Sequence, residues 1–194
     1  MRTEYKVLFA ASLLANFGDN LIGPFYAVFV ERIGGTILQI GYTAAVFSFA
    51  SGLLVVAVGR VSDILRKETI SVLGYGLYAL GSLGYLVISR PWQLFALQII
   101  FALGTACLMG PLSALFARYI ESDRTGFQWG LQSGGDKVVV GLAVLMGTVV
   151  VRFCGFRPLF LLMFAIQVVA LIVQARLCLP SKMPTVQPEA ETAV

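Results

Sequence analysis

Apolar residues fill six long continuous runs along the chain, and short polar segments separate them. A helix that crosses the hydrocarbon core of a bilayer needs roughly 20 mostly apolar residues, and each run is long enough. The apolar positions are contiguous and do not alternate with polar ones, so the pattern predicts membrane-spanning helices and not barrel strands. The runs are Val7–Val30, Gln39–Val58, Thr69–Ile88, Trp92–Ala117, Phe127–Val151 and Leu159–Cys178.

The composition supports a membrane domain. Of the 194 residues, 58% are hydrophobic and 12% are charged, whereas soluble domains are about 25% charged. Six buried helices of a soluble protein would leave almost no polar surface. A cleaved signal peptide is an alternative for the first run, although apolar sequence continues through Val30. The predicted fold is an all-α membrane domain of six transmembrane helices over residues 1–179. A disordered cytoplasmic tail, or the start of a linker, is predicted over 180–194.

The distribution of basic residues predicts how the helices are oriented. If the N-terminus is cytoplasmic, nine lysines and arginines fall in inner segments and four in outer loops, with Lys137 inside a run. This bias follows the positive-inside rule and predicts a multi-pass protein of the plasma (inner) membrane with both termini cytoplasmic. The same distribution accounts for the net charge of +4 without a nucleic-acid partner.

The chain contains no histidine. This excludes histidine-ligated haem, histidine–zinc sites and a serine–histidine dyad, and therefore a rhomboid-type protease. We expect no enzyme, no cofactor and no metal.

Two pairs of short segments indicate an internal repeat. LIGPF at 21–25 matches LMGPL at 108–112, and LQIG at 38–41 matches FQWG at 127–130, at nearly equal offsets. A three-helix unit that is followed by a second copy enters the membrane from the opposite side, so the pattern predicts a 3+3 inverted repeat. Chance is the alternative, because glycine and proline are frequent in membrane helices. Pro24 and Pro111 cannot donate a backbone hydrogen bond, and we expect helix kinks there.

A dense charged segment, GRVSDILRKE at 59–68, follows the second run. Gly59, Asp63 four residues later, and the basic pair Arg66 and Lys67 resemble the signature of the major facilitator superfamily of secondary transporters at this bend. Arg60 also fits. LQIG at 38–41, Gly104 with Pro111, RTG at 124–126 and GFRPLF at 155–160 resemble further segments of that family.

The resemblance covers about residues 7 to 179, which is one of the two six-helix halves of a full family member. It implies transport of a small solute by alternating access. Two positions depart from proton-coupled relatives. Ile100 stands where many carry an arginine, and Gly141-Leu142 where antiporters often carry Gly-Pro. Both departures argue against proton antiport.

The resemblance also implies that the charged bend is a conformational latch. Asp63 would accept hydrogen bonds from loop arginines, with Arg118 as the candidate donor, in contacts that break and re-form. A simple topology anchor is the alternative, and it would need only the basic residues. The predicted latch residues are Gly59, Arg60, Asp63, Arg66, Lys67 and Arg118.

Charged and polar residues inside the runs are candidates for the binding site, because a charge at the bilayer centre costs about 2.5–3.5 kcal/mol. Asp19 shares a helix face with two asparagines, and Gln132 shares one with Asp136, whereas Lys137 points about 100° away. Similar depths allow Asp19 to pair with Lys137. A static bridge, or a lysine that reaches the headgroups, is the alternative. The predicted substrate- or ion-binding residues are Asn16, Asp19, Asn20, Gln132, Asp136 and Lys137.

The expected partners follow from this half-size architecture. They are a small-molecule substrate, with or without a coupling proton or ion, the lipid bilayer, and a second six-helix half or a second copy of the chain. Three readings stay open: a fragment or split product that needs a partner, a half-size transporter that pairs with itself, and an inactive remnant. A non-transporting membrane scaffold or accessory subunit is the alternative function.

Overall fold

The computed structural model describes residues 3–178, and within this range all regular structure is helical. The tail predicted over 180–194 lies outside the described residues. The helices are α1 (Thr3–Asn20), α2 (Phe25–Arg32), α3 (Ile37–Ile64), α4 (Lys67–Val87), α5 (Gln93–Tyr119), α6 (Thr125–Cys154) and α7 (Phe156–Ala175), with 3-10 turns at Ser122–Arg124 and Arg176–Cys178.

Five of these helices, α3 to α7, are long and apolar enough to cross a membrane. A sixth span forms when α1 and α2 are counted together, since they pass the same test as a pair bent by 45°. The break lies at Pro24, which has no N–H to continue the helical ladder. The amide of Phe25 donates instead to the carbonyl of Ile22 at 2.7 Å. At Pro111, by contrast, α5 continues without a break.

The charged bend after the second span is shorter than the sequence pattern suggests. α3 continues past Val58 to Ile64, so most of the charged segment is helical and only Leu65 and Arg66 link α3 to α4. The ammonium group of Lys67 donates to the carbonyl of Ser62 at 2.9 Å, which satisfies a free carbonyl at the end of α3. The last span also begins earlier than expected, because Gly155, at φ 84°, ends α6 and allows α7 to start at Phe156.

The spans of the bundle pack against one another in specific pairs. α5 lies mainly against α3 and α4, α1 lies against α6 and α7, and α4 lies against α7. Near one end, an aromatic cluster joins α2, α4, α5 and α7, and the rings of Tyr85 and Phe160 stack with centroids 4.9 Å apart. α3 turns mostly outward, since only Thr43 and Ser62 of its residues are buried.

Candidate functional site

A cavity of about 420 Å³ opens between α1, α4, α5 and α6. α1 contributes Ser12, Asn16 and Asp19, which lie one helical turn apart and therefore share a face. Asn20 does not line the cavity. Its amide nitrogen donates to the carbonyl and side-chain oxygens of Asn16, both at 2.8 Å, and so fixes the orientation of that side chain.

α6 forms the facing wall through Gln132, Ser133 and Asp136. The amide nitrogen of Gln132 lies 3.2 Å from a carboxylate oxygen of Asp136 and 3.3 Å from the hydroxyl of Ser12, so it connects the two walls. The amide oxygen of Gln132 is buried and has no hydrogen-bond partner. It is therefore an acceptor that a solute in the cavity could use.

Lys137 lies outside this cavity, and its side chain is exposed on α6. The ion pairs within residues 3–178 join Arg118 to Glu68 and Arg124 to Asp123, so the expected pair of Asp19 with Lys137 is not formed. Asp136 and Lys137 differ by a 100° step around α6, and of these two only Asp136 lines the cavity. The described cavity wall therefore carries two carboxylates and neither lysine nor arginine.

Two tyrosines on α4, Tyr75 and Tyr78, also line the cavity, and neither was among the predicted binding residues. The hydroxyl of Tyr78 hydrogen-bonds to Thr105 at 2.9 Å. Tyr75 is 1% exposed, and its hydroxyl has no partner although it lines the cavity. The spacing of three residues, which places both rings on one face of α4, is the signal that the sequence offered.

A second, smaller cavity of about 190 Å³ lies on the other side of Asp19 and Tyr78, which line both spaces. Gln98 lines the second cavity and donates to the hydroxyl of Tyr26 at 3.1 Å. That hydroxyl in turn donates to Thr43 at 2.8 Å. Asp19 therefore borders both cavities, and the second cavity also touches the hydrogen-bonded network of Gln98, Tyr26 and Thr43.

The charged bend is arranged differently from the expected latch. Arg118 lies 3.7 Å from Glu68 and not beside Asp63, because Glu68 sits in the first turn of α4, near the C-terminal end of α5. Asp63 is exposed and has no side-chain partner in the described range. A Cβ on Gly59 would meet nothing within 4 Å, so close packing does not require a glycine there. Arg60 and Arg66 are exposed.

Comparison with known sequences gives a family match and distant relatives. A family model described as Major Facilitator Superfamily matches residues 8–193. The chain is 22% identical over 154 residues to an uncharacterized MFS-type transporter of Methanocaldococcus jannaschii, which covers 79% of the chain and 40% of that protein.

The chain is also 30% identical over 169 residues to the quinolone resistance protein NorB of Staphylococcus aureus (strain bovine RF122), covering 86% of the chain and 34% of that protein. The NorB protein of strain JH9 is 29% identical over the same length. The chain thus spans 34% to 40% of the length of these curated relatives.

Proposed function

Because this chain belongs to the major facilitator superfamily, we propose that it forms one six-helix half of a secondary transporter that moves a small solute by alternating access. The superfamily consists of transporters and not of enzymes, in agreement with the expectation from the sequence. Since the chain spans only 34% to 40% of its relatives, the complete activity would need a second half, from further sequence, a partner chain or a second copy.

The packing of the spans supports an inverted repeat. α5 packs on α3 and α4 as α1 packs on α6 and α7, so exchange of the first three spans with the last three maps the main contacts onto each other. Gly-Pro pairs lie at corresponding places in the two halves, at Pro24 and Pro111. The basic residues favour cytoplasmic termini. Residues 1–179 would be the transport domain, and 180–194 the start of a linker.

The polar cavity is the observation that carries the proposal. Asp19 and Asp136 face a shared space within a mostly apolar bundle, and two carboxylates in contact with acyl chains would be costly. Asn16, Gln132 and Asp136 would contact the solute, while Asn20 would hold Asn16 in place. The acidic wall, which has aromatic faces beside it, favours a solute with a cationic or hydrogen-bond-donating group.

Lys137 supports a second six-helix wall. Its ammonium is exposed in the middle of a span, where contact with lipid would cost about 2.5–3.5 kcal/mol. A second bundle against α3 and α6 would cover it and close the cavity from the open side. The exposed Asp63, Arg60 and Arg66 would then meet the second half as a latch, with the Arg118–Glu68 pair beside it.

The relatives named for quinolone resistance favour export of an aromatic solute, and norfloxacin is a suitable probe. The full chain would be placed in proteoliposomes, sized by blue-native electrophoresis, and tested for norfloxacin flux. Asp19→Asn and Asp136→Asn should each reduce flux about tenfold, the loss of a charge-assisted hydrogen bond. Asp123→Asn, outside the cavity, is the matched control. If the unsubstituted chain assembles as a dimer, which supplies the second six-helix wall, and still moves neither norfloxacin nor ethidium, the result would instead support a scaffold.

A further inference from the structure

A third cavity, of about 400 Å³, lies at the end of the bundle where α2, α4 and α6 terminate. It shares no residue with the transport cavity. Its walls come from three parts of the chain: the last turn of α2, the link that follows α4, and the junction of α6 with α7. It is therefore a separate cavity, and binding of a ligand there does not depend on the proposed transport function.

Two arginines line this cavity, Arg32 in the last turn of α2 and Arg157 in the first turn of α7. In the described part of the chain, neither guanidinium is paired with a carboxylate, and no acidic residue lines the space. The guanidinium of Arg32 lies 5.6 Å from the ring centroid of Phe156, a cation–π contact that holds it at the cavity wall. Ser89, whose side chain carries a hydroxyl donor, lines the same space.

Two unpaired guanidinium groups and a hydroxyl form a donor set that suits a phosphate group. Each guanidinium can donate two parallel hydrogen bonds to phosphate oxygens, and it is more weakly hydrated than an ammonium. The wall beside them is apolar, since Ile33, Leu86 and Ile88 line it. A ligand that satisfies both parts of this surface carries an anionic head and a hydrocarbon portion.

The position of the cavity indicates where such a ligand comes from. It lies at the ends of helices that are long and apolar enough to cross a membrane, and the ends of such helices reach the level where lipid headgroups meet the hydrocarbon core. Trp92, at this same end of the bundle, is 62% exposed, as aromatic residues at membrane interfaces commonly are. A phospholipid in the adjacent leaflet can present its phosphate to the arginines while its acyl chains remain in the membrane.

We propose that this cavity binds the phosphate of an anionic phospholipid, held between Arg32 and Arg157, with the start of its acyl chains against the apolar wall. The test uses the full chain extracted from equal mixtures of phosphatidylglycerol and phosphatidylcholine, and the retained lipids are quantified by mass spectrometry. The unsubstituted chain should be enriched in phosphatidylglycerol. Arg32→Gln and Arg157→Gln should each reduce this enrichment roughly fivefold, as expected for one basic residue at an anionic surface.

Arg90 and Arg152 provide the matched control. Both are exposed at the same end of the bundle, and neither lines the cavity. The Arg90→Gln/Arg152→Gln chain should retain the enrichment. An equal loss of phosphatidylglycerol enrichment in the Arg32→Gln/Arg157→Gln chain and in the Arg90→Gln/Arg152→Gln chain would overturn the proposal. So would the absence of enrichment in the unsubstituted chain. Far-UV circular dichroism checks the fold of each variant. If the Arg32→Gln/Arg157→Gln chain unfolds, the enrichment measured for the two single variants tests the proposal.

A second arm distinguishes a lipid from a soluble phosphate. Glycerol 3-phosphate and phosphatidylglycerol are added at equal concentration to the purified chain in a neutral detergent, and the Tm is measured. Phosphatidylglycerol should raise the Tm of the unsubstituted chain and not that of the Arg32→Gln/Arg157→Gln variant. An equal rise with glycerol 3-phosphate would identify a soluble phosphate as the ligand and would refute the lipid assignment.

Discussion

The side-chain amide nitrogen of Gln167 in α7 donates a 2.9 Å hydrogen bond to the backbone carbonyl of Ala15 in α1. Both residues are buried, and Gly18 makes the close approach possible, since a Cβ there would lie 3.1 Å from that nitrogen. Ala15 also lines the cavity between α1, α4, α5 and α6, next to Asn16 and one turn before Asp19. The bond therefore helps to set the position of the polar face of α1.

This hydrogen bond predicts a difference between two glutamines of α7. Gln174 is fully buried, and neither of its amide atoms has a partner, whereas Gln167 loses a bond when it is replaced. We expect Gln174→Met to leave the Tm in detergent unchanged or higher, because an unpaired buried amide is costly. Gln167→Met should be about 1 kcal/mol less stable than Gln174→Met. The reverse order would show that the bond does not form.

A close helix contact predicts a second effect on stability. A Cβ on Gly147 of α6 would collide with the backbone carbonyl oxygen of Leu21, where α1 ends, while a Cβ on Gly141 of the same helix would meet nothing within 4 Å. Gly147→Ala should therefore lower stability by about 1–3 kcal/mol, the usual cost of overpacking. Gly141→Ala should be neutral or stabilising, because alanine favours helix. Thermal unfolding of the two variants, followed by size-exclusion chromatography, makes the comparison. Equal Tm values would contradict it.

Tyr75 is predicted to affect solute binding without stabilising the fold. Its hydroxyl is buried and unpaired in the described range, and Tyr75 lines the cavity, so Tyr75→Phe removes a group that could pair with a bound solute. We expect an unchanged or higher Tm together with a norfloxacin affinity reduced about fivefold, the loss of one neutral hydrogen bond. Tyr78→Phe, which loses its bond to Thr105, should instead lower the Tm. A Tyr75→Phe chain that binds norfloxacin as before would exclude the hydroxyl from the site.

The charged bend gives a prediction that separates the two carboxylates near it. The side chain of Glu68 is 12% exposed and faces Arg118, so Glu68→Gln and Arg118→Gln should each lower stability by about 1 kcal/mol or less. Asp63→Asn should leave the stability of this chain unchanged, because Asp63 is exposed and unpaired in the described range. If Asp63 is part of a latch with a second half, the same variant should lower transport in the assembled protein. Unchanged transport would reduce the bend to a topology anchor.

Much of the fold is predictable from the hydrophobic pattern. The six apolar runs correspond to five long helices and one bent pair, because runs of this length must satisfy their backbone hydrogen bonds internally in lipid. The break in the first span falls at Pro24, where the missing N–H interrupts the ladder. The helix ends were less accurate, as α3 continues through charged residues to Ile64. A helix can continue beyond the membrane surface, and the hydropathy pattern does not show where such a helix ends.

The candidate site was predicted in part. Asp19, Asn16, Gln132 and Asp136 are recognisable in the sequence because polar groups are rare within apolar runs, and all four line one cavity. Tyr75 was not recognised, because a tyrosine inside an apolar run is equally compatible with packing. Its importance depends on whether its hydroxyl finds a partner, which the sequence does not state.

Helix periodicity specifies the angle of each side chain around its own helix, and it places Lys137 about 100° from Asp136. It did not show that Lys137 lies outside the cavity, where the expected pair with Asp19 is not formed within residues 3–178. It does not specify which helices are neighbours or how they are rotated against one another. Those relations depend on close contacts between residues distant in the chain, such as Gly147 with Leu21 and Gln167 with Ala15. Local sequence therefore determined the spans and their polar positions. Only the packed bundle decided that Arg118 meets Glu68, that Asp19 borders two cavities, and that Arg32 and Arg157 line a third.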